Sequence, residues 1–241
     1  MTSRLLTPWW RSRLPGPAEA TGSADPTPIL DWQAPGLRAL QDRLTGTDPV
    51  GRLQQAHRII AAEVRPVYAV EDRQPASVTL ARGAGSCSQR LAILEAVARA
   101  DGVPTRVRGL LVDGRFWYPR FGRLRALVPA EVLLAWPELG IDGRWLSVSE
   151  LYGSFAALDT SSGFTNTTGE TLFDAVARTA VDWDGVTCSP GMSSPCDLSA
   201  EVVGDLGRYS SRDALFDAHG QALCGGARWI ADPILRRRSA A

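Results

Sequence analysis

The chain has 241 residues, enough to bury a substantial hydrophobic core in a single large domain. Its 26 basic residues, all of them arginine, balance its 26 acidic residues, which argues against nucleic acid as an obligatory partner and excludes a lysine Schiff base. No apolar run approaches the ~20 residues of a membrane span, so we expect no membrane contact and a cytoplasmic protein.

The cysteines do not form the pattern of a disulfide framework or of a common zinc site. They are Cys87, Cys188, Cys196 and Cys224. Cys188 and Cys196 flank a turn-rich segment, and the favoured interpretation in a reducing compartment is two unrelated thiols. The sequence therefore predicts no metal site and no cofactor, and it leaves the oligomeric state open.

The first 47 residues are interpreted as an N-terminal arm that is partly mobile. Residues 15–28 are rich in Pro, Gly, Ala, Ser and Thr and contain few bulky apolar side chains. Asp48-Pro49 has the character of a helix N-cap followed by its first residue, and apolar residues at helical spacing predict a helix over residues 50–67. A short strand is predicted over residues 76–80.

Cys87 stands at the start of the next predicted helix. Apolar residues surround this helix on nearly all sides, which is typical of a helix buried at the centre of a domain. The helix is expected to end at Gly102 and to be stopped by Pro104. A helix N-terminus offers unpaired amides and a partial positive charge, which favour the thiolate and are suited to hold an oxyanion. Cys87 is therefore the candidate nucleophile.

Two β-hairpins are predicted after this helix. Their strands and turns are residues 107–112 and 115–118 joined by Asp113-Gly114, and residues 132–139 and 145–148 joined by Asp142-Gly143. Together they predict an antiparallel sheet packed on the cysteine helix.

The last ninety residues carry weaker signals. Helical spacing predicts helices over residues 171–181 and 211–223, and Ser211 is suited to cap the second one. About thirty residues between them, 182–210, are predicted as a loop. We interpret residues 48–152 as the core domain and residues 153–241 as an extension whose helices pack on it.

The run from Ala98 to Arg106 resembles a motif of the transglutaminase-like superfamily, a branch of the papain-like cysteine fold, in which the cysteine helix ends in Ala-Arg-Ala-x-Gly-[IV]-Pro-x-Arg. The resemblance covers about residues 50 to 150 and implies an α+β fold, with a central buried helix that carries the cysteine at its N-terminus, an antiparallel sheet and additional helices. The family places a histidine in a His-Ala-Trp-x-Glu strand and an aspartate four residues after a tryptophan on the next strand. Matched to this sequence, those positions hold Leu134 and Ser149.

A cysteine without these partners favours particular chemistry. An amine leaving group needs a general acid, worth ~10² to 10⁴-fold in rate, whereas a thiolate leaving group does not. We therefore expect a cysteine-dependent acyl-transfer or thioester-handling enzyme, acting on a small-molecule or carrier-bound acyl substrate in a bacterial biosynthetic pathway, rather than an ordinary transglutaminase or protease. One alternative is a catalytically inactive relative that serves as a binding or scaffolding module, and another is an isomerase or cyclase in which a carboxylate and Cys87 act as acid and base.

Two residues are candidates for a replacement base, and each has a structural interpretation beside it. His219, near a predicted helix C-terminus, is either a relocated base or a helix cap. Glu138 is either a base or a polar anchor of its strand, and the anchor is favoured because a carboxylate is ~4 pH units too acidic to deprotonate a thiol.

Arginine and aromatic residues near the two hairpins are candidates for substrate binding. They are Arg115, Trp117, Arg120 and Trp136. A cleft lined by such side chains suits a carboxylate or phosphate, because guanidinium groups bind these anions in a forked geometry. The competing interpretation is a hairpin with one solvated face, with Trp136 packed in the core.

Overall fold

The helices and strands of the protein alternate along the chain. The structure, a computed structural model, describes residues 11, 19–122, 125, 128–154, 158, 163–167, 169–185, 196–223, 225–237 and 239–240. The helices there are α1 (Pro35–Asp42), α2 (Pro49–Glu63), α3 (Ala76–Arg82), α4 (Cys87–Ala100), α5 (Tyr118–Phe121), α6 (Leu172–Ala175), α7 (Arg212–His219) and α8 (Gly225–Leu235). The strands are β1 (Arg65–Pro66), β2 (Ala84–Gly85), β3 (Thr105–Asp113), β4 (Glu131–Ile141), β5 (Arg144–Ser147) and β6 (Val202–Tyr209).

Four strands form an antiparallel sheet in the order β5-β4-β3-β6. The predicted β4–β5 hairpin is confirmed, and its turn has positive φ at both Asp142 and Gly143, as a tight two-residue hairpin turn requires. A separate parallel pair, β1 and β2, lies just before Cys87. The fold is thus the mixed α+β arrangement that the sequence predicts.

Helix α4 is the centre of the core. Each residue from Gln89 to Arg99 is buried, and the helix contacts α1, α2 and α3 as well as strands β3 and β4. A helix enclosed on all sides presents mainly apolar side chains, which explains the sequence pattern, and any polar side chain in it needs a buried partner. Its buried polar residues are therefore each tied to a partner in another element.

Arg99 shows how α4 fixes distant segments. Its guanidinium donates to the Thr105 side chain at 2.7 Å and to the backbone carbonyls of Asp25 and Ser210, both at 2.7 Å. Ser23 also pairs with Thr105 through two backbone hydrogen bonds. Residues 19–28, predicted as part of a mobile segment, therefore lie against the core.

Two strand predictions are wrong. Residues 76–80 belong to helix α3, whose first turn is fixed by Asp31, since its carboxylate accepts hydrogen bonds from the Ser77 backbone N–H and hydroxyl. Residues 115–118 form a 3₁₀ turn and the start of α5 instead of a returning strand, because Asp113 accepts from the Arg115 N–H at 2.8 Å and turns the chain. Strand β3 pairs with β4 and β6.

The C-terminal predictions are correct in part. Ser211 caps α7 as expected, accepting from the Ala214 N–H at 3.1 Å, but α7 ends at His219. The helix predicted over 171–181 is the short α6 followed by turns. The region predicted as a loop, 182–210, contains strand β6, which completes the central sheet. No helix in the described ranges is long and apolar enough to cross a membrane.

Candidate functional site

Cys87 is the first residue of α4. The helix start is fixed by a capping box, in which the Ser86 side chain accepts from the Gln89 N–H at 3.2 Å and the Gln89 side chain accepts from the Ser86 N–H at 3.1 Å. The predicted placement of Cys87 at a capped helix N-terminus is confirmed.

A cavity of about 600 Å³ opens beside Cys87. Its wall is mainly aliphatic and aromatic and comes from segments that are far apart in sequence: residues 67–70, the turn after β3, strand β4, the start of α6, helix α8 and the C-terminal tail. The apolar side chains of this wall include Val67, Tyr68, Val70, Phe116, Trp117, Phe121, Val132, Leu133, Leu134, Phe164, Leu172, Leu223 and Leu235. This size and composition are typical of small-molecule pockets.

Leu134 lines the same cavity as Cys87, in the position where the family's histidine is expected. Ser149 is buried and does not line the cavity, and its hydroxyl shares a hydrogen bond of 2.9 Å with the Ser147 hydroxyl, which in turn accepts from the Trp136 indole N–H. The aligned positions are thus occupied by an aliphatic side chain and by a neutral hydroxyl already bonded to its neighbours.

The surroundings of Cys87 stabilise the thiol over the thiolate. Burial is the dominant effect and raises the pKa of the Cys87 thiol to about 12, despite the opposing charges of Arg90 and Arg212 and a hydrogen bond from the Phe173 backbone N–H. The expectation that the helix N-terminus favours the thiolate is therefore outweighed by desolvation in an apolar wall.

Both histidines of the chain are described, and neither lines the cavity. The His219 ring pairs with the Tyr209 hydroxyl at 2.6 Å. His57 is stacked on the Phe173 ring, and its Nε2–H donates to the Phe173 carbonyl at 2.7 Å while burial lowers its pKa. The candidate relocated base, His219, thus pairs with Tyr209 and is not part of the cavity wall that contains Cys87.

A comparison with protein families gives one match. Residues 38–149 match the model of the transglutaminase-like superfamily. This part of the chain is a transglutaminase-like domain. No curated protein sequence matches the chain significantly.

Glu138 serves the sheet of the transglutaminase-like domain. Its carboxylate is bound by Arg106 of β3 at 2.5 Å and by Arg208 of β6 at 3.0 Å. In the sheet, β3 lies next to β4 and β6 lies next to β3. The Arg106 guanidinium also stacks on the Trp145 ring, 4.2 Å from its centroid. Glu138 does not line the cavity, and its partners account for its position as an anchor of the strand.

The predicted substrate-binding residues of the domain separate into two pairs. Trp117 and Arg120 line the cavity, whereas Arg115 and Trp136 do not. Arg115 is exposed and pairs with Asp113 at 2.6 Å, and Trp136 packs edge-on against the Trp183 ring. The Arg120 guanidinium donates to the Asn166 side chain and to the carbonyls of Glu170 and Ala240, so it joins the C-terminal tail to the cavity wall.

Two groups around Cys87 escaped the sequence analysis. Arg90, one turn into α4, is buried and binds Asp174 at 2.8 Å, and it stacks on the Phe173 ring at 4.2 Å, which holds α6 against Cys87. Asp72 is a buried carboxylate of the cavity wall. The sequence carries no signal for either role beyond charged residues in otherwise apolar surroundings. The described residues contain no cluster of His, Cys, Asp and Glu suited to a metal ion.

Proposed function

We propose that this protein uses its transglutaminase-like domain to bind a small, largely apolar molecule in the Cys87 cavity. The observation that carries this proposal is the apolar wall of a cavity of about 600 Å³, in which Leu134 stands at the position that the sequence match assigns to the family's histidine. An aliphatic side chain at that position adds apolar contact surface and supplies no base to activate Cys87.

The state of Cys87 supports binding over nucleophilic catalysis. Its pKa of about 12 leaves almost no thiolate near neutral pH, and no histidine of the chain lines the cavity. A neutral thiol is a small apolar group, and in this wall it contributes to the contact surface for an apolar ligand.

Displacement of the neutral dye Nile red by decan-1-ol tests this proposal. We expect both to bind the wild-type protein, and we expect Leu134→Trp to weaken both at least about tenfold because the indole fills cavity volume. The matched control is Val203→Trp, which adds the same side chain at a residue of β6 that is 51% exposed. Equal binding by Leu134→Trp and Val203→Trp would contradict the assignment of the binding site to this cavity. A third variant, Cys87→Ala, is expected to retain binding.

A second candidate function is acyl transfer from a thioester, favoured by the position of Cys87 as the first residue of α4 and in the wall of the cavity. In that reaction the Cys87 sulfur attacks the thioester carbonyl, the carbon–sulfur bond of the thioester breaks, and the departing thiol takes up the proton that Cys87 gives up. Incubation with a decanoyl thioester of N-acetylcysteamine followed by mass spectrometry distinguishes the candidates. A decanoyl group on Cys87 establishes acyl transfer, whereas unmodified Cys87 with retained decan-1-ol binding supports the binding protein.

A further inference from the structure

Asp72 places a carboxylate in the wall of an otherwise apolar cavity. The residue is only 7% exposed and is one of the residues that line the cavity. Its backbone N–H donates to the Gln221 side chain at 2.6 Å, and Gln221 donates in turn to Glu71 at 2.8 Å. The segment that carries Asp72 is therefore held firmly by the residues that follow α7.

Burial raises the pKa of the Asp72 carboxyl, and the Ala222 backbone and the Ser88 side chain oppose this rise. The Ser88 oxygen accepts from Arg212 at 2.9 Å. An ionised carboxylate has about four acceptor sites, which leaves capacity for a donor from the cavity.

No cation among the described residues forms an ion pair with Asp72. The charge of Arg212 opposes the rise in the pKa of Asp72, but the Arg212 guanidinium is itself bound to the buried Glu95 carboxylate. Arg120, the other charged residue of the described wall, is bound to Asn166 and to two backbone carbonyls. Burial without a cationic partner also raises the pKa of Asp72 to about 6, which leaves it mainly ionised near neutral pH.

A buried carboxylate is costly unless it is paired, and such groups concentrate where a ligand completes the pairing. From this geometry we propose that Asp72 determines ligand specificity by binding a protonated amine at one end of an apolar ligand. The inference rests on the proposed function, since it names the class of ligand for the same cavity. That ligand is an apolar amine, whose ammonium group donates to Asp72 while its hydrocarbon part contacts the apolar wall that includes Leu134.

The test compares three probes of equal chain length, decylamine, decan-1-ol and decanoate, by displacement of Nile red near neutral pH. We expect decylamine to bind about ten- to a hundredfold more tightly than decan-1-ol. The reason is that a hydrogen bond between charged groups stabilises a complex more than a neutral hydrogen bond does, by an amount that corresponds to this factor in affinity. Decanoate is expected to bind most weakly. Asp72→Asn keeps the shape of the side chain and is expected to remove the preference for the amine while changing decan-1-ol binding less than about threefold.

The control variant is Asp113→Asn, which removes a carboxylate outside the cavity wall and is expected to preserve the amine preference. Equal affinities for the three probes in the wild type, or an amine preference that persists in Asp72→Asn, would overturn the role of Asp72 and leave the apolar cavity as the binding site. Failure of Nile red and all three probes to bind would overturn the proposed function and this inference together. If Asp72→Asn does not fold, the ranking of the three probes on the wild-type protein decides whether the cavity prefers an amine.

Discussion

Leu134 lines the same cavity as Cys87, where a transglutaminase-like domain is expected to present a histidine. Strand β4 brings Leu134 there through its pairing with Leu110 of β3, at the middle of an uninterrupted antiparallel register. Leu134 therefore presents an aliphatic side chain to the site from a regular position of the sheet.

Cys87 is expected to react slowly with iodoacetamide near neutral pH. A pKa of about 12 gives roughly a thousandfold less thiolate than an ordinary thiol with a pKa near ~8.5. The rate should rise about tenfold per pH unit without a plateau below pH ~10, because the thiolate fraction grows in that proportion. Peptide mapping by mass spectrometry separates Cys87 from the other cysteines, and the urea-unfolded protein provides the reference rate. A plateau below pH ~8 would show instead a thiol poised for nucleophilic attack.

Leu134→His is expected to increase the alkylation rate of Cys87 near neutral pH at least about tenfold, because an imidazole beside the sulfur accepts its proton and stabilises the thiolate. Leu134→Asn is the matched control, since it introduces a polar group of similar size that is not a base. Thermal unfolding of both variants confirms that each is folded. Equal rates in the two variants would mean that the side chain at position 134 does not reach Cys87.

Arg212 and Glu95 form an ion pair that is almost completely buried, with side-chain exposures of 0% and 1%. Arg212→Met is expected to lower the free energy of unfolding by about 3–5 kcal/mol, because it leaves the Glu95 carboxylate buried without its cation. Adding Glu95→Leu should restore much of the loss, since the uncompensated charge is then removed. Urea denaturation measures both effects.

The matched control for the buried pair is Arg43→Met, which breaks an ion pair with Glu63 whose side chains are 49% and 46% exposed. Its effect is expected to stay below about 1 kcal/mol, because water screens and replaces an exposed pair. A similar loss for Arg43→Met and Arg212→Met would contradict the assignment of the larger effect to burial.

Asp72→Asn is expected to stabilise the free protein near neutral pH. Asp72 releases its proton at a pKa of about 6 in the folded protein, well above its ordinary value near ~3.9 in the unfolded chain. Between these pH values the folded state holds more protons, so the stability contributed by Asp72 falls as pH rises and is constant above about pH 6. The difference of roughly two between the folded and unfolded pKa values of Asp72 corresponds to about 3 kcal/mol in the free energy of unfolding.

Urea denaturation of the wild type and Asp72→Asn between about pH 4 and pH 8 measures this difference. The advantage of Asp72→Asn should grow from pH ~4 to pH ~6 and then level off. Asp113→Asn provides the opposite case, because Arg115 lowers the pKa of Asp113 and the ion pair favours its charged form. A pH-independent difference for Asp72→Asn would show that Asp72 titrates normally in the folded state.

The sequence by itself determined the parts of this protein that depend on neighbours along the chain. The Ser86–Gln89 capping box placed Cys87 at a helix start, the apolar surface of α4 required its burial, and Asp142-Gly143 specified the β4–β5 turn. The resemblance to the family's motifs predicts that Leu134 and Ser149 stand at the positions of the family's histidine and aspartate. These features are readable because caps, periodicity and positive φ are properties of short segments.

The tertiary structure decided what the site is chemically. The pKa of Cys87 follows from an apolar wall assembled from segments between residues 67 and 240, and Asp72 lines the same cavity together with Ser88 of α4 and Ala222, which follows α7. The tertiary structure also paired His219 with Tyr209 and Glu138 with Arg106 and Arg208. Desolvation and ion pairing depend on residues far apart in sequence, and no local pattern records which of them meet.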